Sequence, residues 1–438
     1  MGFFDWMQGK QELPRTGSDP ADTVLLNGRV LTCDGESKKV EAFAVRDGRF
    51  VFVGSDSGIA DYVGPDTEVI DAGNRVVTPG FIDSHCHILW VGALEPLLSQ
   101  EHYNCDDFEQ MAAAIREHAE SNPDLPFIFV MGWNHDKVPG GVPTAAQLDE
   151  VLPDRPVILW SDSAHCGWVN TMALDLMQER NPEAFEQLLP VRDEDGKPTG
   201  EFLTFWFVEP FFFFTEEEIG GDLKERMLEG MRNAIDMALS FGVTGYDDVM
   251  IHRSFMPLVF EFLKRGGFER SRCRGTFYIN HHMPGEMAEL EKFLTYWKGL
   301  ADDADEHFVM GTSVKMGTDG VSPNHTAYML EPYCDKPDSC GEPSWDQDDY
   351  VKVVRLAHSL GLQIATHATG DAAIRAAVDG YEEVAEDGRL SIPHRVDHCS
   401  NPTPADIDRM ASLGVSAAMQ PPTSGPARRE RRPWVRTG

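Results

Sequence analysis

Basic residues are scarce in this chain: 38 lysines and arginines stand against 72 aspartates and glutamates, a formal net charge of -34 over 438 residues. A surface this acidic repels phosphate backbones and anionic headgroups, so nucleic acid and membrane surfaces are not expected partners. A basic segment followed by a long apolar one is missing near Met1, and no signal peptide is expected. The richest apolar stretch, FLTFWFVEPFFFF at 202–214, is interrupted by Glu209 and Pro210. It is too short to span a bilayer, which leaves a buried helix or a pocket wall. CxxC pairs are also missing, and of the eight cysteines only Cys334 and Cys340 are near neighbours. That usage argues for reduced thiols in a cytoplasm. Acids spread along the whole chain suit a highly salted cytoplasm, where carboxylates stay hydrated and their repulsion is screened. A small molecule is the expected partner, and a homo-oligomer is left open.

What is present has a clear order. Residues 1–22 read as a leader. From 23 to 75 short apolar runs alternate with NG and DG turns, as in TVLLNGRVL and EAFAVRDGRFVFVG, which predicts a small β-sandwich domain. A barrel domain is predicted over 76–422, with an insertion at about 90–235 that contains two strand-like runs, PFIFVMGW and PVILWSD. After the insertion, helical patterns alternate with strands: ERMLEGMRNAIDMALSFG before VTGYDDV, SFMPLVFEFLKRGG before RCRGTFYIN, DDYVKVVRLAHSLG before LQIATHATGD. Repeated helix-then-strand units make a parallel sheet with helical crossovers, and counting FIDSHC first gives seven strands. The predicted fold is α/β, a (β/α)8 TIM-type barrel lacking its eighth strand, beside an incomplete N-terminal β-sandwich.

Chemistry in such a barrel gathers at the C-terminal ends of its strands. His85 and His87 stand there on strand one, Lys315 on strand four, His367 on strand five and His398 on strand six. Alternate residues of a strand share a face, so His85 and His87 address one space. Imidazoles suit zinc and its neighbours, and the predicted cofactor is one or two divalent ions, with zinc first. Taken singly, each histidine has another reading as a hydrogen-bonded core residue; the joint pattern is what points to metal. Lys315 is a poor ligand as an ammonium. It is either a carbamate bridging two ions or an ion-pairing lysine. Asp83 and Asp397 adjoin the histidines and either orient them from behind or bond to the backbone.

VVTPGFIDSHCHI resembles the signature of the amidohydrolase superfamily. GWNHDKVPGGVPTAAQLDEVLPDRPVIL, SDSAHCGWVNTMAL, VKMGTDG, THATGDAAI and HRVDHCSNPTPADIDRMASLGVSAAMQP are similar to its family 3 branch, which includes N-substituted formamide deformylases. The resemblance runs from about residue 22 to about 422. It implies that His85, His87, Lys315, His367 and His398 are the metal ligands. His165 and Trp133 would then line the substrate pocket, unless they simply pack the insertion. The implied activity is hydrolysis of a non-peptide C–N bond, in an amide or formamide, by a metal-activated water. An ester or phosphoester hydrolase on the same scaffold is the alternative.

One part of the resemblance fails. After SAAMQPP the chain reads TSGPARRERRPWVRTG, with five arginines among its last eleven residues. The superfamily's strand-eight aspartate, its proton carrier, has no counterpart in this sequence, so no catalytic carboxylate is assigned. The expectation is a truncated member with an atypical Arg-rich tail at 423–438, and possible loss of turnover in a metal-binding remnant.

Overall fold

The structure, a computed structural model, describes residues 19–35, 39–162, 165–180, 182–203, 222–253, 255–279, 287–300 and 307–420. It divides into two compact units, Met1–Phe81 and Ile82–Gly438. The Arg-rich stretch and most of the phenylalanine-rich run (204–214) lie outside the described residues.

The first unit contains β1 (Thr23–Leu26), β2 (Arg29–Leu31), β3 (Lys39–Val40), β4 (Ala42–Arg46), β5 (Arg49–Gly54), β6 (Glu68–Asp71) and β7 (Val76–Val77). They form a sheet in the order β5-β4-β1-β6 and a smaller one in the order β3-β2-β7. Alternation along β1 explains the two cores. Val24 and Leu26 pack with Ala42, Ala44 and Ile59, while Leu25 between them packs with Val30 and Ala72. The DG turn joining β4 to β5 has positive φ at both Asp47 (49°) and Gly48 (70°), as a two-residue hairpin of this twist requires.

The second unit begins the barrel with β8 (Phe81–Cys86), followed at once by helix α1 (Ile88–Leu94). The insertion then builds a sheet of its own from β9 (Leu98–Ser99), β10 (Ile128–Trp133), β11 (Val157–Ser161), β12 (Gly167–Val169), β13 (Pro190–Arg192) and β14 (Pro198–Phe202). Their order is β13-β14-β12-β11-β10-β9. Only β10 and β11 were expected as strands. One face of this sheet, with Ile128, Val130, Val157 and Leu159, packs with Met111 and Ile115 of α2 (Phe108–Ser121). The other, with Phe129, Ile158 and Trp160, joins the main core with Leu89, Trp90 and Leu94.

After α3 (Asp222–Ser240) the predicted alternation follows: β15 (Val243–Ile251), α4 (Met256–Lys264), β16 (Arg272–Tyr278), α5 (Met287–Gly299), β17 (Phe308–Val309), β18 (Ser313–Gly317), α6 (Gln347–Ser359), β19 (Gln363–Ala368), α7 (Asp371–Glu382), β20 (Arg395–His398), α8 (Pro404–Leu413) and β21 (Ser416–Ala418). The barrel sheet runs β21-β20-β19-β18-β16-β15-β8, seven strands, with β17 added beside β16. Its pairs from β15 to β21 are parallel. Helix ends are set locally. Asp346 accepts from the N–H groups of Asp348 and Asp349, and Thr403 from Asp406. Gly242, Gly361 and Gly414, at φ of 79°, 79° and 78°, turn the chain from helix toward the next strand. Among the described residues no helix is long and apolar enough to cross a membrane.

Candidate functional site

Inside the barrel, polar groups are stacked in layers. The lowest is a network the sequence did not reveal. Thr276 donates to Asp247 Oδ1 at 2.8 Å, and the Thr276 and Ser313 hydroxyls lie 2.6 Å apart. Arg395 Nη1 donates to Asp247 Oδ2 at 2.7 Å, and Arg274 reaches the same oxygen. Above it lies Asp397, fully buried. Its carboxylate contacts the Lys315 ammonium and lies 3.0 Å from His85 Nδ1 and 2.8 Å from Arg395 Nε.

Four imidazoles form a row over this layer. Ring centroids are 5.4 Å apart for His87 and His85, 4.7 Å for His85 and His398, and 4.6 Å for His398 and His367. His85 lies in β8 as expected, but the strand stops at Cys86, and His87 sits at the N-terminus of α1, where its carbonyl accepts from Val91 N at 2.9 Å. Asp248 of β15 steadies that junction by accepting from Leu89 N at 2.8 Å. His398 ends β20 with φ at 67°, a left-handed backbone uncommon for a side-chain-bearing residue and frequent at functional sites. Its Nδ1 donates to Gln420 Oε1 at 2.7 Å, which makes Nε2 the lone-pair nitrogen. His367 Nε2 donates to the Gly320 carbonyl at 3.0 Å, so there Nδ1 keeps the lone pair.

Asp319, beside Gly320, was not singled out from sequence. Its buried carboxylate accepts from the N–H groups of Thr369 (3.0 Å), Gly370 (2.8 Å) and Tyr328 (3.1 Å) and from the Thr369 hydroxyl (3.0 Å). The loops after β18 and β19 are thereby locked together under His367. Gly370 makes this approach possible, since a Cβ there would stand 1.9 Å from the Tyr328 carbonyl oxygen.

Burial drives the titration of the row. Burial, then the charge of neighbouring imidazoles and Lys315, holds His87, His367 and His398 well below the usual histidine range, and His85 is lowered chiefly by burial and Lys315. Neutral imidazoles carry the lone pairs that a cation needs. Burial opposes the charge on Asp397, yet Lys315, His85 and Arg395 outweigh it and keep the carboxyl well below its ordinary value. Burial lowers Lys315, against the pull of Asp397.

Among the described residues no group of three or more His, Cys, Asp or Glu side chains stands ready-made as an ion cage. The cation amid the four imidazoles is Lys315, whose charge is felt by each of them. The donor set nevertheless fits a metal: neutral imidazoles, an adjoining carboxylate, and a buried His87 Nδ1 that has no hydrogen-bond partner among the described residues.

The other expected residues divide. His165 reaches the row, 5.8 Å from His367 between ring centroids. Trp133 does not: it is fully buried in the outer core of the insertion, packed on Trp168 at 5.6 Å, with its indole N–H on the Leu159 carbonyl at 3.3 Å. Packing of the insertion, not a pocket wall, is what the structure shows for it. Asp83 is exposed and accepts from the His85 backbone N–H at 3.0 Å, so it shapes the chain instead of gripping an imidazole. Two further residues were missed, His252 just beyond β15 and Tyr278 at the end of β16, with ring centroids 5.1 Å apart.

A model of the amidohydrolase family matches residues 68–435. The chain belongs to that family. It is 26% identical over 425 residues to the N-substituted formamide deformylase of Arthrobacter pascens, covering 91% of this chain and 73% of that protein. It is 25% identical over 436 residues to Protein LONG AFTER FAR-RED 3 of Arabidopsis thaliana, covering 95% of this chain and 70% of the relative. In fold, this amidohydrolase resembles an uncharacterized metal-dependent hydrolase from Pyrococcus horikoshii, with a TM-score of 0.64 at 22% identity over 91% of this chain and 74% of the other. That likeness is one of fold.

Proposed function

We propose that the protein hydrolyses a non-peptide C–N bond, in an amide or N-substituted formamide of a small molecule, with one or two divalent ions, zinc first among them. The reading is carried by one observation: His85, His87, His367 and His398, from three distant parts of the chain, form a continuous row over Lys315. These five residues would hold the metal. A divalent ion there would make water nucleophilic near neutral pH and polarise the scissile carbonyl. The protein's own groups perform the rest. Asp397 fixes His85 and Lys315, the Gln420 and Gly320 bonds fix the tautomers of His398 and His367, and the dry interior strengthens every charge interaction. Burial raises the neutral-amine fraction of Lys315, the form that adds carbon dioxide to give a carbamate. The bond type comes from the family and from the name of the Arthrobacter relative.

Zinc titration of the full chain and a panel of amides, formamides, esters and phosphoesters test this. The expected result is tight zinc uptake, lost in His87→Gln and His398→Gln, with turnover on the C–N substrates. A wild-type protein that takes up no divalent ion, or that cleaves only esters or phosphoesters, sinks the reading.

A further inference from the structure

The proposed chemistry uses four imidazoles and Lys315, yet the mouth holds another polar pair. Tyr278 lies opposite Lys315 in the parallel register of β16 and β18, and Ile279 N donates to the Lys315 carbonyl at 2.8 Å. Residues paired this way share a face of the sheet. The preceding residue confirms the direction: Phe277 points outward, onto Phe293 at 4.5 Å and Trp297 at 5.4 Å on α5. Tyr278 therefore faces the barrel interior beside Lys315.

His252 meets it from β15. Counting in twos from the inward Asp247 would turn His252 outward, but the pairing of β15 with β16 shifts register between Asp248 and Ile251. That irregularity returns His252 to the inside, against the Tyr278 ring and within electrostatic range of His87. Its carbonyl accepts from Phe255 N (3.1 Å) and Met256 N (3.2 Å) at the start of α4, so its backbone is fixed. The following Arg253 lies over Phe293, away from the interior. The pair thus offers an imidazole and a phenol, with no guanidinium among them. Such groups match an uncharged carbonyl or amide, whereas a carboxylate or phosphate calls for an arginine or lysine of its own, and the ammonium beside Tyr278, Lys315, is already paired with Asp397.

We propose that His252 and Tyr278 form a specificity-determining pair that binds and orients the neutral acyl-amide portion of the substrate on the β15–β16 side of the mouth. This rests on the metal-dependent C–N reading above. The test uses zinc-loaded full-length protein, wild type against His252→Gln and Tyr278→Phe, with acetohydroxamic acid as the binding probe and N-alkyl formamides as substrates. Zinc stoichiometry is expected to equal that of wild type in both variants, in contrast to His87→Gln. Acetohydroxamate Kd and formamide KM are expected to rise about tenfold, the size of one lost hydrogen bond, with a smaller change in kcat. Unchanged Kd and KM overturn the proposal, and so does zinc loss in His252→Gln, which would make it a ligand. Tyr278→Phe decides the matter alone if His252→Gln does not fold. Wild-type protein without zinc uptake overturns the metal reading, and this inference with it.

Discussion

Replacing Asp397 by Asn tests how the interior holds its charges. In wild type this fully buried carboxylate faces Lys315, His85 and Arg395. Arg395 keeps Asp247 at 2.7 Å in the variant, so the group left without a counter-charge is Lys315, only 3% exposed. It has two options. Remaining an unpaired buried ammonium costs about 3–5 kcal/mol. Losing its proton costs, relative to an unfolded lysine of pKa about 10.4, roughly 4 kcal/mol at about pH 7.5, or about 1.4 kcal/mol for each unit below 10.4. The cheaper route sets the loss at about 3–4 kcal/mol near neutrality. Deprotonation in the folded state alone means that the unfolded state binds more protons, so the variant's stability rises with pH. The deficit against wild type should shrink to roughly 2 kcal/mol by about pH 9. Urea unfolding of metal-free protein in EDTA at the two pH values measures this. A deficit under about 1 kcal/mol near neutrality, or one that is the same at both pH values, would refute the reasoning.

Asp248 gives a pH signature of the opposite sign. Burial pushes its carboxyl up to about 7, against the hydrogen bonds from Leu89 and Met250. Folded protein therefore holds a proton that the unfolded chain releases between about pH 4 and 7. The group's contribution is complete below about pH 4 and is lost as pH rises through about 7, at up to roughly 1.4 kcal/mol per unit. Asp248→Asn should remove that slope, and parallel wild-type and variant profiles in urea unfolding would contradict it. Zinc uptake should increase with added bicarbonate if Lys315 becomes a carbamate, and Lys315→Met should abolish the increase. Calorimetric titration reads both, and bicarbonate-independent uptake by wild type would leave Lys315 an ion-pairing lysine.

Much of the fold was legible because the barrel's helices and strands have different hydrophobic periods and are punctuated by residues with local jobs. Thr403, Asp346, Gly361 and Gly414 mark their own boundaries whatever the tertiary context. The histidines of the row were legible because His85, His367 and His398 stand at or next to strand ends, and His87 falls one residue past β8. The insertion's separate sheet was not, since β9, β12 and β13 are two or three residues long and gain their pairing from neighbours far along the chain. For Trp133 the resemblance left a pocket wall and packing of the insertion both open, and only its contact with Trp168 in the folded chain favours packing. His252 escaped because alternation fails at the register shift in β15. Asp319 escaped because its partners are backbone and hydroxyl groups of Tyr328 nearby and of Thr369 and Gly370 about fifty residues away, and no spacing announces them.

If the proposed metal reading holds, charge balance accounts for a lysine rather than a fifth imidazole beneath the row. Inside the barrel two buried cations, Lys315 and Arg395, face two buried carboxylates, Asp247 and Asp397, with Arg274 approaching from a half-exposed position. Carboxylates and cations are thus already paired with one another, and an added dication would bring further positive charge into a low-dielectric space where charge is expensive. Asp397 cannot compensate, because it is already ionised. The imidazoles cannot either, because they are already neutral. Lys315 is the one member of the set whose charge has room to fall. The proposed conversion from ammonium to carbamate would change it by two units, the charge of one divalent ion. On the proposed reading Asp397, which contacts both Lys315 and His85, would serve as counter-ion to the ammonium and, were that charge lost to a carbamate, would still anchor the imidazole row through His85.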